Sequence, residues 1–164
     1  MQELLKKVLI SAPNLVCVCV DEVQNENLKG RLYHKYKTEA VPFYSISSLL
    51  NEMERLYDWI GFPQAATRQR TFLSKNEERK KQKEAIQVAD TKELLGHSGE
   101  KATFIVHVRY RQNATWQGEV MWAEKREKIY FRSALELIKL IDSALDEAGI
   151  GEIEVVRDNE EKSE

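Results

Sequence analysis

Two stretches of the chain share one pattern of apolar and polar positions. Residues 15–62 and 103–150 align without a gap at an offset of 88, and 12 of the 48 aligned positions are identical. In each stretch, short apolar or alternating runs come first and an amphipathic run with apolar residues three and four positions apart follows. Since self-similarity at a fixed offset indicates repeated units, the pattern predicts a tandem duplication of a β-β-(β)-α unit.

The first unit begins with the apolar run "LVCVCV" at residues 15–20, which predicts a buried strand. "RLYHKYK" predicts a second strand and "AVPF" a short third one, which Pro42 restricts to a sheet edge. Ser45 is then in the right place to cap an amphipathic helix that ends at Gly61.

The second unit shows the same order of elements. "EVMWAEK" and "IYF" predict strands, and Ser133 with Glu136 predicts a capping box at the start of a helix that runs to Gly149. In the first strand of this unit, "ATFIVHVRY", successive side chains are expected to point to opposite faces. One face would carry Phe104, Val106, Val108 and Tyr110, and the other would carry Ile105, His107, Arg109 and Arg111.

Neither unit is long enough to bury a good core alone, so the two are expected to pack together. We predict an α+β fold with one antiparallel sheet, two long helices on one face and the other face open. The predicted divisions are 1–62 (a helix at 2–11 plus the first unit), 63–102 (a basic linker or a partly docked helix within 74–96), 103–156 (the second unit with an extra strand at 151–156) and 157–164 (a solvated tail).

Composition narrows the class of protein. The chain is 42% hydrophobic and 32% charged, which is typical of a folded protein. Its net charge of −2 gives no overall positive potential that would attract nucleic acid or a membrane surface. No run approaches the roughly 20 apolar residues of a membrane span. Two cysteines make no disulfide framework, which favours a cytoplasmic location.

Candidate catalytic and metal-binding residues are few. Cys17 and Cys19 point to the same side of a strand, where they could hold a metal or form a redox pair, although buried cysteines more often pack as small apolar groups. His97 beside Ser98 lacks an identifiable third group for a catalytic triad. Glycine-rich phosphate loops, Walker motifs and paired-cysteine zinc patterns are missing. We therefore predict no enzyme activity, no cofactor and no metal.

A Gln-Asn pair follows the first strand of each unit, at Gln24-Asn25 and at Gln112-Asn113. One interpretation is structural, because Asn satisfies turn backbone and tolerates positive φ. The other is functional, with two polar loop tips that bind a partner or frame a ligand cleft between the units.

Basic and aromatic residues interleave in the hairpin of the second unit. The predicted partner-binding residues are His107, Arg109, Arg111, Trp116, Lys125, Arg126 and Arg132. Arginine and aromatic residues dominate protein–protein hot spots, so the first hypothesis is a non-catalytic binding or regulatory protein with a protein partner. The second is a nucleic-acid-binding protein that uses the same hairpin with the basic linker. A small enzyme or ligand sensor at the cleft between the units is the third.

Overall fold

The computed structural model describes residues 12–67, 70, 72 and 85–149. Over these residues the protein is an α+β fold with a six-stranded antiparallel sheet and three helices. In chain order the elements are β1 (Val16–Gln24), β2 (Asn27–His34), β3 (Lys37–Phe43), α1 (Ile46–Ile60), α2 (Thr91–Leu95), β4 (Ala102–Tyr110), β5 (Gln117–Trp122), β6 (Glu127–Phe131) and α3 (Ala134–Glu147).

The sheet has the strand order β3-β2-β1-β4-β5-β6, so β1 and β4 meet at its centre. Cys17 lies opposite Ile105, the residue 88 positions later. The hairpins then extend outward from this pair in the same order on both sides. The prediction of one antiparallel sheet is confirmed, and the strand that contains Pro42 lies at an edge as expected.

A β-bulge interrupts the central strand of each half. The pairing register shifts between Val20 and Glu22 in β1, and between Val108 and Tyr110 in β4. An extra residue in one strand reverses the alternation of side chains beyond it. Tyr110 is therefore 55% exposed and Arg111 only 4% exposed, so the faces predicted for these two residues are wrong.

The helix ends follow the sequence closely. Ser45 caps α1, and Gly61 ends it with φ of 67°. At α3 the Ser133 hydroxyl accepts the N–H of Glu136, as predicted. The Glu136 carboxylate, however, accepts the N–H of Arg132 rather than that of Ser133, so the second half of the predicted capping box is displaced by one residue.

Two buried clusters stabilise the sheet. The larger one joins β1 residues Val16, Val18 and Val20 to residues of both long helices, namely Leu49, Met53, Leu56, Tyr57, Leu137, Ile141, Ala144 and Leu145. The smaller one contains Leu15, Cys17, Cys19, Tyr33, Leu94, Ile105 and Met121. Both cysteines are free thiols without exposed surface, which agrees with their interpretation as core residues.

The described part of the linker contains one short helix, α2, whose Leu94 is buried in the smaller cluster. Residues 85–90 are not helical, so the predicted helix over 74–96 is confined to Thr91–Leu95 within the described residues. The rest of that prediction, together with the helix at 2–11, the strand at 151–156 and the tail, lies outside them. No helix among the residues described is long and apolar enough to cross a membrane.

Candidate functional site

A buried carboxylate organises the surface of strands β4, β5 and β6. Glu119 is 1% exposed and lies opposite His107 on one neighbouring strand and Tyr130 on the other. Its Oε1 accepts hydrogen bonds from Nε and Nη2 of Arg109 at 3.0 and 2.7 Å. The same oxygen lies 3.3 Å from Nδ1 of His107, and Nζ of Lys128 lies 3.1 Å from Oε2. One carboxylate therefore holds side chains from both neighbouring strands, β4 and β6, in a fixed arrangement.

Opposing effects set the charges of this cluster. Burial would raise the pKa of Glu119, but hydrogen bonds from Lys128, Arg109 and His107 outweigh burial and hold that pKa below its ordinary value. Burial lowers the pKa of His107 despite the neighbouring carboxylate. At neutral pH the imidazole is thus uncharged, and two cations surround one anion. The cluster carries one net positive charge.

An exposed aromatic ring completes the cluster. Tyr130 is 60% exposed, and its ring centroid lies 5.9 Å from the guanidinium of Arg109 and 5.1 Å from Nζ of Lys128. The Arg109 side chain is itself 46% exposed. We call the set His107, Arg109, Glu119, Lys128 and Tyr130 the Glu119 surface. It presents a ring, a guanidinium and an ammonium group to solvent.

The first half of the sheet carries an ion pair of opposite polarity at the equivalent positions. Asp21 and Arg31 lie 88 residues before Arg109 and Glu119, respectively. Nε and Nη2 of Arg31 donate to the two carboxylate oxygens of Asp21 at 2.8 and 3.0 Å. An arginine–carboxylate pair thus recurs while the acid and the base exchange strands, although Arg31 bonds both oxygens of Asp21 and Arg109 bonds only Oε1 of Glu119.

The linker contacts the ion pair of the first half, whose side chains stay 36% (Arg31) and 25% (Asp21) exposed. Arg31 donates to the Ser98 carbonyl at 2.9 Å, and the N–H of Glu100 donates to Asp21 at 3.1 Å. The His97 ring stacks on Tyr33 with 3.6 Å between centroids. No described residue makes corresponding contacts on the Glu119 surface. Among the described residues, the linker thus contacts one half of this face, and on the other half Arg109 and Tyr130 remain exposed.

Arg111 and Trp116 lie on the opposite side of the sheet from the Glu119 surface. Arg111 donates to the Pro63 carbonyl at 2.7 Å and to carboxylates of Glu54 and Asp58 at 3.0 and 2.7 Å. Trp116 is also buried, and its Nε1 donates to Glu54 at 2.8 Å. The prediction that Arg111 shares an outward face with His107 and Arg109 is wrong, because the bulge turns it toward α1.

The remaining predicted cations lie away from the Glu119 surface. Nζ of Lys125 pairs with Glu147 at 2.7 Å and lies 4.9 Å from the ring centroid of Trp122. Arg126 occupies the β5–β6 turn with φ of 54°. Arg132 pairs with Glu136 at 2.8 Å. Acidic neighbours thus neutralise Lys125 and Arg132. Of the predicted set, His107 and Arg109 meet at Glu119, and Arg111 and Trp116 meet at Glu54 on the other side of the sheet.

The two Gln-Asn pairs occupy turns, as the structural interpretation predicts. Asn25 and Asn113 have φ of 48° and 54°, the region that Asn tolerates better than most residues. Because β1 and β4 are antiparallel neighbours, the turns after them lie at opposite ends of the sheet. Gln24-Asn25 and Gln112-Asn113 therefore do not frame one cleft, and a binding role for each tip stays a prediction.

Sequence analysis missed the residues that organise the site. Glu119 is not among the predicted residues, although it anchors Arg109 and Lys128. Tyr130 belongs to the basic and aromatic residues of the hairpin in which the sequence predicts binding. Lys128 could have been found by extending the alternation of β5 across the turn into β6, because Glu119 then lies opposite Tyr130 and Lys128 shares that face.

Comparisons with protein-family models, with curated proteins and with solved structures found no match for this chain. Within the described ranges, no three His, Cys, Asp or Glu residues are grouped to hold a metal ion. The function must therefore be argued from the side chains of the Glu119 surface.

Proposed function

We propose that this chain is a small non-catalytic binding protein that holds a protein partner on the Glu119 surface. The observation that carries the proposal is the fixed arrangement of Arg109, Lys128 and Tyr130 around one buried carboxylate on an accessible part of the sheet. Arginine and tyrosine are among the residues that contribute most to protein–protein affinity. Side chains already held in place lose less conformational entropy on binding, which favours affinity.

The scaffold that presents this surface is proposed to be a tandem duplication with both long helices on one face. Several local features recur 88 residues apart, including the bulges and the N-caps Ser45 and Ser133. Gly30 and Gly118 also recur, and a Cβ on either would overlap the carbonyl oxygen of Cys19 or His107, respectively. Residues of both helices share the larger cluster with Val18 and Val106, which supports their placement on one face.

Charge favours a protein partner over nucleic acid. The Glu119 surface carries one net positive charge, whereas phosphate backbones are usually bound by several cations at once. Arg111, Lys125 and Arg132 would have added to such a patch, but each pairs with a carboxylate. The two free thiols support the further proposal that the protein works in a reducing compartment such as the cytoplasm.

The test compares two double variants by quantitative capture from a nuclease-treated lysate of the source organism. R109Q/Y130S alters the Glu119 surface but leaves Lys128 and His107 beside the carboxylate. The control R55Q/Y44S removes the same residue types from exposed positions elsewhere. We expect a protein that wild type and control retain and that R109Q/Y130S loses. Capture of the same proteins by all three would refute the proposal.

A nucleic-acid assay decides between the two candidate partners. Mobility shifts with single- and double-stranded DNA and RNA at two salt concentrations are expected to be absent. A salt-sensitive shift that R109Q/Y130S abolishes would instead assign the same surface to nucleic acid.

A further inference from the structure

The outer edge of the Glu119 surface is strand β6, which has a neighbour on one side only within the described sheet. Alternate N–H and C=O groups of such a strand point away from the sheet and can pair with another chain. The opposite edge, β3, is protected by Pro42, which has no N–H. β6 has no proline, and Ile129 and Tyr130 are exposed on its two faces.

A small cavity opens beside β6 on the helix side of the sheet. Its volume is about 80 Å³, and Ile129 lies at its boundary while Glu127, Ser143 and Glu147 contribute polar groups. Its apolar walls are formed by Phe104, Val120 and Trp122 of the sheet and by Leu140 and Ala144 of α3. The lining is therefore mixed, and its apolar part, next to Ile129, fits a branched aliphatic side chain.

The two faces of β6 therefore offer different chemistry to a strand placed alongside it. Side chains of such a strand point alternately to opposite faces. One set would meet the apolar cavity next to Ile129. The other set would meet Arg109, Lys128 and Tyr130, where the net charge is positive and a carboxylate is the matching group.

We propose that β6 binds an extended segment of the partner protein as an additional strand, with apolar residues alternating with acidic ones. This inference rests on the proposed function and names the chemistry of the partner. Backbone pairing supplies affinity, and the cavity and the cations supply specificity through alternate side chains.

A second copy of the chain fits this edge less well. Antiparallel pairing of two β6 strands about Ile129 would set Lys128 of each copy opposite Tyr130 of the other. It would also bring two Glu119 surfaces, each with a net positive charge, side by side on the same face. No carboxylate of the second copy would then face Lys128, and the two positive surfaces would repel each other, so a partner with carboxylates is favoured.

The test uses fluorescein-labelled peptides of about nine residues, which is somewhat longer than a typical strand. Each peptide alternates glutamate with valine, isoleucine, leucine or phenylalanine, and control peptides carry lysine in place of glutamate. The tightest peptide is also made with N-methyl groups on its apolar residues only, or on its glutamates only. Fluorescence anisotropy is measured with wild type, R109Q/K128Q and the control R55Q/K92Q.

We expect binding of a glutamate peptide at least about tenfold tighter than that of its lysine control. R109Q/K128Q should reduce this preference while R55Q/K92Q retains it. One N-methylated peptide should lose binding and the other should keep it, because only alternate N–H groups of an added strand face β6. A thermal melt of each variant confirms that it is folded, and a variant that is not folded is replaced by the single change K128Q.

Three outcomes would overturn the proposal: no glutamate peptide binds at about 1 mM, the two N-methylated peptides bind equally, or sedimentation shows a dimer that the peptides dissociate. The last would assign the edge to a second copy. If capture from lysate depends on Arg109 and Tyr130 but any of these outcomes is found, the proposed function stands and only the binding mode is wrong. If capture does not depend on these residues, the proposed function itself fails.

Discussion

Arg31 and Glu119 occupy equivalent positions in the two halves of the sheet and carry opposite charges. Each is paired with the residue at the equivalent position of the neighbouring strand, Asp21 or Arg109, through hydrogen bonds of 2.7–3.0 Å. Each half therefore contains an ion pair. The residue on β2 of the first half is the cation, Arg31, whereas the equivalent residue on β5 of the second half is the anion, Glu119. The linker contacts the half with Arg31, and Arg109 and Tyr130 remain exposed on the half with Glu119.

Glu119→Gln tests the contribution of the buried carboxylate. The change keeps the shape of the side chain but removes the charge that Arg109 and Lys128 share, so we expect the free energy of unfolding to fall by about 1–3 kcal/mol. The control Glu52→Gln alters an ion pair with Arg55, whose side chain is 75% exposed, and should change stability by less than about 0.5 kcal/mol. Urea denaturation measures both. Equal effects would show that Glu119 contributes no more than a surface charge.

Arg111→Leu tests the buried ion pair below α1. Without the guanidinium, the Pro63 carbonyl and the Glu54 carboxylate lose a donor, and we expect a loss of about 2–4 kcal/mol. Because both single changes remove the same Arg111–Glu54 ion pair, the loss should be smaller in E54Q/R111L than the two single losses added together. Chemical denaturation of the three variants provides this comparison, and simple additivity would argue against the pairing.

Tyr57→Phe should stabilise the protein. The Tyr57 ring is fully buried against Trp116 with 5.6 Å between centroids, and its hydroxyl has no hydrogen-bond partner among the described residues. Burial accordingly raises the pKa of this hydroxyl. Removing an unsatisfied hydroxyl while keeping the ring should add about 0.5–1.5 kcal/mol to the free energy of unfolding. A lower melting temperature for the variant would indicate that the hydroxyl is satisfied in solution.

The strand pattern, the helix caps, the edge position of Pro42 and the turn role of Asn25 and Asn113 could be predicted, because each depends on local sequence. The bulge in β4 could not, because it depends on how β4 pairs with β5. That single extra residue moved Arg111 from the expected surface to the core. The role of Glu119 could not be predicted from local sequence either, because its burial requires β4, β5 and β6 to lie side by side.

His34 should make stability depend on pH. Burial and the nearby Lys37 lower the pKa of His34 from 6.5 to about 4, and its Nδ1 accepts the N–H of Tyr36 at 3.1 Å. Between these values the unfolded chain binds a proton that the folded chain does not, so the free energy of unfolding falls as the pH falls.

From pH 7 to pH 5 the loss from His34 should be about 1–2 kcal/mol. His34→Gln keeps an acceptor for Tyr36 without a titrating group, and it should lose correspondingly less stability over the same range. Urea denaturation at several pH values measures both proteins. Parallel pH profiles would show that His34 titrates alike in the folded and unfolded chains.

Photo-crosslinking from the Glu119 surface tests the proposed partner site most directly. A photoreactive phenylalanine analogue is placed at Tyr130 or, as a control, at Tyr44, which is similarly exposed but lies on the other half of the chain. After irradiation in the native lysate, we predict a discrete protein adduct from position 130 that R109Q weakens and that position 44 does not form. Identical adducts from both positions, or an adduct at 130 that R109Q leaves unchanged, would contradict a partner site organised by Glu119.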